Sequence, residues 1–357
     1  MADKLRRQAI RQASKARCLQ VQPCVEINCL GCKGVTEEKS EFEDCAMDVK
    51  PLTDLPSAEP VKQSWLARTA LPVLLTGTMA LAFSPIFVRW SEVGPIATGV
   101  NRMLLPLPFF FIWMLLVPSQ RLPLGTPQGK LDLKYLFLAG AFFAGDLCVW
   151  HWSILLTSVA NSTVLANLSP VFVVIGAWFL FKERVSRIFL AGLLMALFGV
   201  VILMSKSMGV STKTLTGDAL GLFTSWFYAG YLLTVARVRK RVPTAATMAW
   251  GGLAATIILY VIAIVWEGNV WPETMRGWIV AFGLAGVTQI IGQTLIALAL
   301  AHVQAGFGAM VLLLQPALST VLAWFLFDEP LSASQAIGGI AILIGLELSR
   351  RGTPKRV

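Results

Sequence analysis

From Leu71 to Leu348, apolar residues follow one another in blocks of roughly membrane length, joined by short polar or charged connections. Runs such as Val171 to Phe181 are apolar throughout, and so lack the strict alternation of a transmembrane barrel strand. At about 20 residues per helical crossing, the pattern predicts ten helices. They cover residues 69–90, 94–117, 135–156, 159–181, 188–205, 219–236, 246–266, 278–300, 305–327 and 334–348. Hydrocarbon offers no partner to a backbone N–H or C=O, so each segment has to satisfy its own polar groups, and the helix does this. The predicted fold class is an all-α integral membrane protein.

The pattern also repeats. Residues 167–186 (NLSPVFVVIGAWFLFKERVS) set against 313–332 (LLQPALSTVLAWFLFDEPLS) give nine identities in twenty positions, where shared apolar composition alone yields roughly two. Pro170 matches Pro316, Ala177 to Phe181 match Ala323 to Phe327, and Glu183 and Ser186 match Glu329 and Ser332. Gly192/Gly338 and Gly199/Gly345 extend the series at the same offset. The chain divides into a first five-helix unit over 67–205 and a second over 206–350, with tails at 1–66 and 351–357. Five is odd, so the second copy enters the membrane from the opposite side. The flanks agree, with Lys182-Glu183-Arg184 basic after the fourth helix and Asp328-Glu329-Pro330 acidic after the ninth. Two inverted halves can exchange conformations around a site at their interface, which is one route to alternating access.

Composition supports the membrane assignment. The 357 residues are 56% hydrophobic and 14% charged, whereas soluble domains carry about a quarter charged residues. The net charge of +10 would suggest nucleic acid in a soluble protein, but residues 1–66 hold ten Lys/Arg and ten Asp/Glu, so the whole excess lies in the membrane part. There it orients the helices. With the amino terminus in the cytoplasm, fifteen basic residues fall inside, among them Lys130, Lys182, Arg184, Arg239, Arg241 and Arg350, and only Arg89, Lys206, Lys213 and Arg276 fall outside. The excess of Lys/Arg on cytoplasmic loops predicts both termini inside, in the plasma membrane, and no nucleic-acid partner.

The first 66 residues contain Cys18, Cys24, Cys29, Cys32 and Cys45 and a charged, proline-containing stretch without apolar period, the composition of a disordered tail. Cys29 and Cys32 stand at C-x-x-C spacing, which can chelate an ion. No histidine lies nearby, however, and the outer spacings fit no familiar finger, so no metal is expected. Met47 is an alternative start, and no apolar core of signal-peptide type precedes the first helix.

The block S-P-V-F-V-V-I-G-A-W-F-L-F-K-E-R-V-S of the fourth helix, its echo Q-P-A-L-S-T-V-L-A-W-F-L-F-D-E-P-L-S in the ninth, and Arg102 early in the second resemble the EamA-like family of the drug/metabolite transporter superfamily. The resemblance spans about residues 69–350. It implies a ten-helix permease with a central cavity that moves small metabolites, often amino acids or related compounds. The cysteine-containing tail lies outside it.

Arg102 and Asp146 are the ionised side chains placed well inside the membrane, where a charge costs at least about 2.5–3.5 kcal/mol and marks a functional candidate. At 1.5 Å per residue they lie at similar depth, about 12 and 15 Å below the outer ends of their helices. They can form a structural ion pair. Alternatively Arg102 holds a substrate carboxylate, and Asp146 carries a proton that couples transport to a gradient. Trp150, His151, Asn161 and Asn167 supply aromatic and polar groups nearby, and the tryptophans 150 and 152 fit an interfacial belt equally well. In the second half Gln289 and Gln293, four apart and on one helical face, and Gln315 supply neutral groups. Trp226, Tyr228 and Tyr231 are candidates to close the cavity, and Pro170, Pro316 and the glycines at 139–145 and 338–339 serve as hinges or as packing.

A solute carrier is the function this pattern supports; movement of a small polar metabolite, inward or outward, is what the family resemblance implies, and export is the expected direction. Two other classes compete with it. An integral-membrane enzyme acting on lipid needs a His/Asp cluster or metal site near an interface, but the chain has two histidines, His151 and His302, far apart in sequence, and no H-E-x-x-H. A receptor or anchor signalling through the tail is the other. Neither a cofactor nor catalysis is expected. The expected partners are a small solute, a coupling proton and membrane lipid.

Overall fold

The computed structural model describes residues 65–157, 159–205, 215–327 and 331–353, and among them all regular structure is helical. Nine helices are long and apolar enough to cross a membrane. They are α1 Thr69–Trp90, α2 Pro95–Leu116, α3 Pro127–Leu156, α4 Asn161–Phe181, α5 Arg187–Met204, α6 Leu215–Val238, α7 Thr244–Trp266, α8 Met275–Leu300 and α9 Ala305–Phe327. The tenth, α10, is Ala333–Gly352, equally long but with Glu347, Arg350 and Arg351 paired in its last turns. The outer surface is apolar where lipid would lie, as at Leu116, Phe179, Phe198 and Phe325. The cysteine-containing tail, Lys206, Lys213, Asp328, Glu329, Lys355 and Arg356 lie outside the described residues.

The largest departure from the expected spans is at α3, which begins at Pro127 rather than at residue 135. Thr126 caps it by accepting a hydrogen bond from the Gly129 N–H (3.0 Å), with Pro127 in the first turn, where a missing N–H costs nothing. The added turns are polar. Gln128 donates to Asp132 at 3.1 Å, and Asp132 accepts from Arg241 at 2.8 Å, so this end of the helix projects beyond the apolar span and is tied to the α6–α7 connection.

The same caps recur in both halves. Thr274 accepts from Gly277 N at the start of α8 as Thr126 does at α3, and Ser332 accepts from Gln335 N at α10 as Ser186 accepts from Phe189 N at α5. Neighbours are also exchanged: α3 packs on α6 and α7, and α8 packs on α1 and α2. The closest pair is α5 with α10. A Cβ on Gly192 would lie 2.5 Å from the Gly345 carbonyl oxygen, and one on Gly199 would lie 2.7 Å from that of Gly338. As the α5 number rises the α10 number falls, so these helices run antiparallel in backbone contact. Small residues permit this approach, and van der Waals packing of this kind holds helices together where lipid removes the hydrophobic drive.

Four helices are interrupted near a proline, which cannot donate to the preceding turn. The breaks are at Phe83 before Pro85 in α1, at Leu105–Pro106 before Pro108 in α2, at 167–168 before Pro170 in α4, and at Leu313 before Pro316 in α9. In α1 the Ile86 N–H turns to the Phe83 carbonyl, and the Ala82 carbonyl so released accepts from Ser319 Oγ of α9 at 2.7 Å. In α8, residues Leu284–Gln293 form a π-helix, a form concentrated at functional sites.

Candidate functional site

The broken helices surround a cavity of about 530 Å³. Its mouth is at Pro95, Thr163, Met204 and Leu331, near the start of α2, the start of α4, the end of α5 and the residue region just before α10. These helix ends all belong to one face of the bundle. Phe143, Gln293 and Ala309 line its deeper part. On the opposite face the helices are tied together. Arg239 donates from Nε to the Ala297 carbonyl at 3.0 Å, burial pushing its pKa down to about 10, and the Ala245 N–H donates to Gln120 Oε1 at 3.1 Å. None of these tied residues lines the cavity, whose lining reaches helix ends at the first face.

At the mouth face two carboxylates link the halves. Glu267, after α7, accepts from the Ile96 and Ala97 N–H groups at 2.9 and 2.7 Å, capping α2. Glu92, before α2, accepts from the Thr274 N–H at 2.9 Å, from the Thr274 hydroxyl and from the Glu273 N–H, at the start of α8. Each carboxylate meets the orphan N–H groups and positive dipole of a helix start. The hydrogen bonds to Thr274, first the hydroxyl and then the backbone, hold the Glu92 carboxyl below the usual range.

Seven of the nine residues singled out from the sequence line the cavity: Arg102, Asp146, Trp150, His151, Asn167, Gln293 and Gln315. Arg102 is 8% exposed. Its Nε donates to Gln289 Oε1 at 3.3 Å and its Nη1 to Ser84 Oγ at 3.1 Å, and the guanidinium lies 5.5 Å from the centre of the Phe143 ring. Asp146 is not its partner: the ion pairs of Arg241 and Glu347 are present among the described residues, and one between Arg102 and Asp146 is not. The expectation of a direct pair fails because two neutral acceptors on α1 and α8 hold the guanidinium. Asp146 lies on the same cavity and makes no hydrogen bond among the described residues.

Gln293 is 1% exposed, lines the cavity, and has neither amide atom bonded. A buried amide without partners is costly unless something else supplies them. Gln289 does not line this cavity. It turns to Arg102 and to a void of about 20 Å³ behind Phe143, which Tyr231 also lines. Both glutamines sit in the π-helix, where residues four apart remain nearly aligned, and from it one side chain meets Arg102 while the other lines the cavity.

Asn161 lies elsewhere. Its amide donates to Thr157 and Asp218 at 3.3 and 3.4 Å, and Thr157 donates to Asp218 at 2.7 Å, fastening the α3–α4 junction to α6. Trp150 and His151 face the cavity, their rings 5.2 Å apart, whereas Trp152 packs on the exposed Trp266 at 5.4 Å. Successive helix positions differ by about 100°, so one tripeptide serves both roles. Of the three aromatics proposed to close the cavity, Tyr228 lines it, Tyr231 lies behind Phe143 at 4.8 Å, and Trp226 is exposed on the outside. Ser84, Ser319 and Thr320 were not anticipated. Their signal was a hydroxyl close to a proline within an apolar span, Pro85 or Pro316. Arg102 and Asp146 come from α2 and α3, and the amides Asn167, Gln293 and Gln315 from α4, α8 and α9.

Comparison with known proteins gives a concordant picture. The profile of the EamA-like transporter family matches residues 68–205 and, a second time, 215–350. The pseudopaline exporter of Pseudomonas aeruginosa is 24% identical over 227 residues, 63% of this chain and 78% of that protein. A probable amino-acid metabolite efflux pump of Escherichia coli is 26% identical, covering 78% of this chain and 93% of the pump. An uncharacterised transporter of Archaeoglobus fulgidus is 26% identical over 78% of this chain and 96% of its own length. One crystal structure, 20% identical, superposes with a TM-score of 0.68 over 80% of this chain and 98% of the other.

Proposed function

We propose that this chain, which belongs to the EamA-like transporter family, exports a small polar metabolite, an amino acid or related compound, by alternating access. The one-sided cavity carries the reading. It is lined by an arginine, an aspartate and an unpartnered glutamine at the junction of two matching halves, and none of the residues tied together at the other face lines it. A carrier caught at one end of its cycle has this form. Relatives named as an exporter and as an efflux pump favour export.

Inversion of the two halves is supported by α5 and α10. Gly192 meets Gly345 and Gly199 meets Gly338, while at the repeat offset Gly192 corresponds to Gly338 and Gly199 to Gly345. An interface in which i touches j′ and j touches i′ is isologous, the mark of a two-fold axis. Because the helices are antiparallel, that axis lies across them, in the membrane plane. The distribution of basic residues favours both termini in the cytoplasm, and in that orientation the cavity mouth faces outward, where an exporter releases its solute. Asp146 is the group through which a proton gradient would drive the cycle. The test is flux: full-length protein in sealed liposomes is offered a mixture of labelled amino acids and derivatives. Protein-dependent movement of at least one is expected. Absence of movement for all, from correctly folded protein, would defeat the reading in favour of an enzyme or receptor.

A further inference from the structure

We propose that α2 and α7 form a fixed seam of the transport cycle, each closing the start of the other, and that the contact between the ends of α6 and α8 is the one that parts. This rests on the reading of the chain as an alternating-access carrier of two inverted halves, and specifies which helices stay together. The starts of α2 and α7 correspond in sequence. Arg89, Pro95 and Ala97 match Arg237, Pro243 and Ala245 at one common offset, which also relates the caps Thr126 and Thr274. A helix start leaves N–H groups in need of an acceptor, and here each helix supplies the acceptor from its far end. Glu267, just after α7, accepts from the Ile96 and Ala97 N–H groups at the mouth face. Gln120, just beyond α2, accepts from the Ala245 N–H at the tied face. Gln120 and Glu267 fall within one position of the same offset, so the two caps are counterparts and the interface is isologous.

In an inverted repeat the second state is reached when each half takes the conformation of the other. A contact made at one face is then exchanged for its counterpart at the opposite face. A seam whose two counterparts are already made together has nothing to exchange. The α2–α7 seam is of this kind and is joined along its length: α7 packs on both segments of α2, either side of the break at Leu105–Pro106, and the buried Asn101 amide donates to the Val270 carbonyl at 2.8 Å. The glycine contacts of α5 with α10 meet the same criterion. The contact of α6 with α8 does not. Arg239, just after α6, holds the Ala297 carbonyl in the last turn of α8, whereas the corresponding ends of α1 and α3 carry Val88 and Trp150, which both line the cavity. Exchange of the halves therefore breaks the Arg239 contact and brings the ends of α1 and α3 together, with the α2–α7 caps kept.

Cysteine pairs and a short bis-methanethiosulfonate cross-linker, removable by reductant, test this on full-length protein in proteoliposomes. Flux of the labelled mixture of amino acids and derivatives is read before linking, after linking and after reduction, with the unaltered protein treated alongside to account for Cys148 and the tail cysteines. Gly94→Cys with Glu267→Cys spans the seam at the mouth face, where a Cβ on Gly94 would meet the Glu267 carboxylate. Gln120→Cys with Ala245→Cys spans it at the tied face, and Arg239→Cys with Ala297→Cys joins α6 to α8. Linking either seam pair should leave flux as it is in the reduced variant. Linking α6 to α8 should abolish flux, and reduction should restore it. Reversible loss of flux on linking a seam pair would overturn the proposal, as would undiminished flux with α6 and α8 linked. Either seam pair decides the fixed part alone, so the test stands if one variant fails to fold. Absence of flux in the unaltered protein would instead remove the carrier reading itself.

Discussion

Gly192 of α5 lies against the carbonyl of Gly345 of α10, and their repeat counterparts Gly338 and Gly199 meet in the same way. Added atoms at either contact have backbone before them, which cannot swing aside as a side chain could. Replacing Gly192 or Gly345 with Val should cost about 1–3 kcal/mol through overpacking and lower the thermal midpoint of the protein in detergent. Gly199→Val and Gly338→Val should do so by comparable amounts if the contacts are symmetric. Unchanged midpoints for all four would mean that α5 and α10 separate freely.

The helix count, the duplication and most of the cavity were legible in the sequence because each rests on composition or local spacing. Twenty apolar residues declare a span, and Pro170 and Pro316 declare matching breaks in α4 and α9. What depended on backbone form was not legible. The π-helix at Leu284–Gln293 leaves no mark in the apolar pattern, and of its two glutamines one meets Arg102 while the other lines the cavity. The partners of Arg102 were also missed, since Ser84 and Gln289 are 18 and 187 residues away. Distance in sequence hides such pairs, and matching charge made Asp146 the more obvious partner.

The tether on Arg102 gives a prediction that separates orientation from charge. In a Ser84→Ala, Gln289→Leu double variant the guanidinium loses both neutral acceptors and should swing to Asp146, closing the pair the unaltered protein avoids. Solute flux should fall by about tenfold or more, the equivalent of one charged hydrogen bond, with membrane abundance and thermal midpoint preserved. Unchanged flux would show that the two neutral bonds do not position Arg102 for transport.

Phe143 divides the large cavity from the void of about 20 Å³ and rests on Tyr231. Truncation to Ala should join the two spaces and weaken the seal towards the tied face. Downhill leak of solute should rise while accumulation against a gradient falls, both read in proteoliposomes. A proportional loss of both would indicate damaged binding rather than a breached partition.

Glu92 gives a pH dependence of defined sign. Its carboxyl is held below the usual range by the hydroxyl and N–H of Thr274, so the stability it contributes is complete above the unfolded value of about 4.3 and is lost as pH falls through the lower folded value. The difference in thermal midpoint between the unaltered protein and Glu92→Gln should be constant at about pH 5 and above, then shrink below pH 4.3 or so. A difference that persisted undiminished into stronger acid would mean that the clasp on α8 does not require the charge.

Orientation decides what the cavity mouth faces. The mouth lies on the face where Glu92 and Glu267 cap α8 and α2, while Arg239, Arg241 and Lys130 lie at the other face. Lys/Arg are retained on the cytoplasmic side during insertion, whereas Asp and Glu contribute little to orientation, so the basic face should be internal and the mouth external. A cysteine introduced at Gly268, in the α7–α8 connection, should react with a membrane-impermeant thiol reagent in intact cells. One introduced at Gln128, and the five tail cysteines Cys18, Cys24, Cys29, Cys32 and Cys45, should react only after permeabilisation. Cys148 is 4% exposed and should stay silent in both conditions. The reverse pattern would place the open cavity towards the cytoplasm, making the structure a loading state of an exporter and Arg102 and Asp146 the first charges an outgoing solute meets.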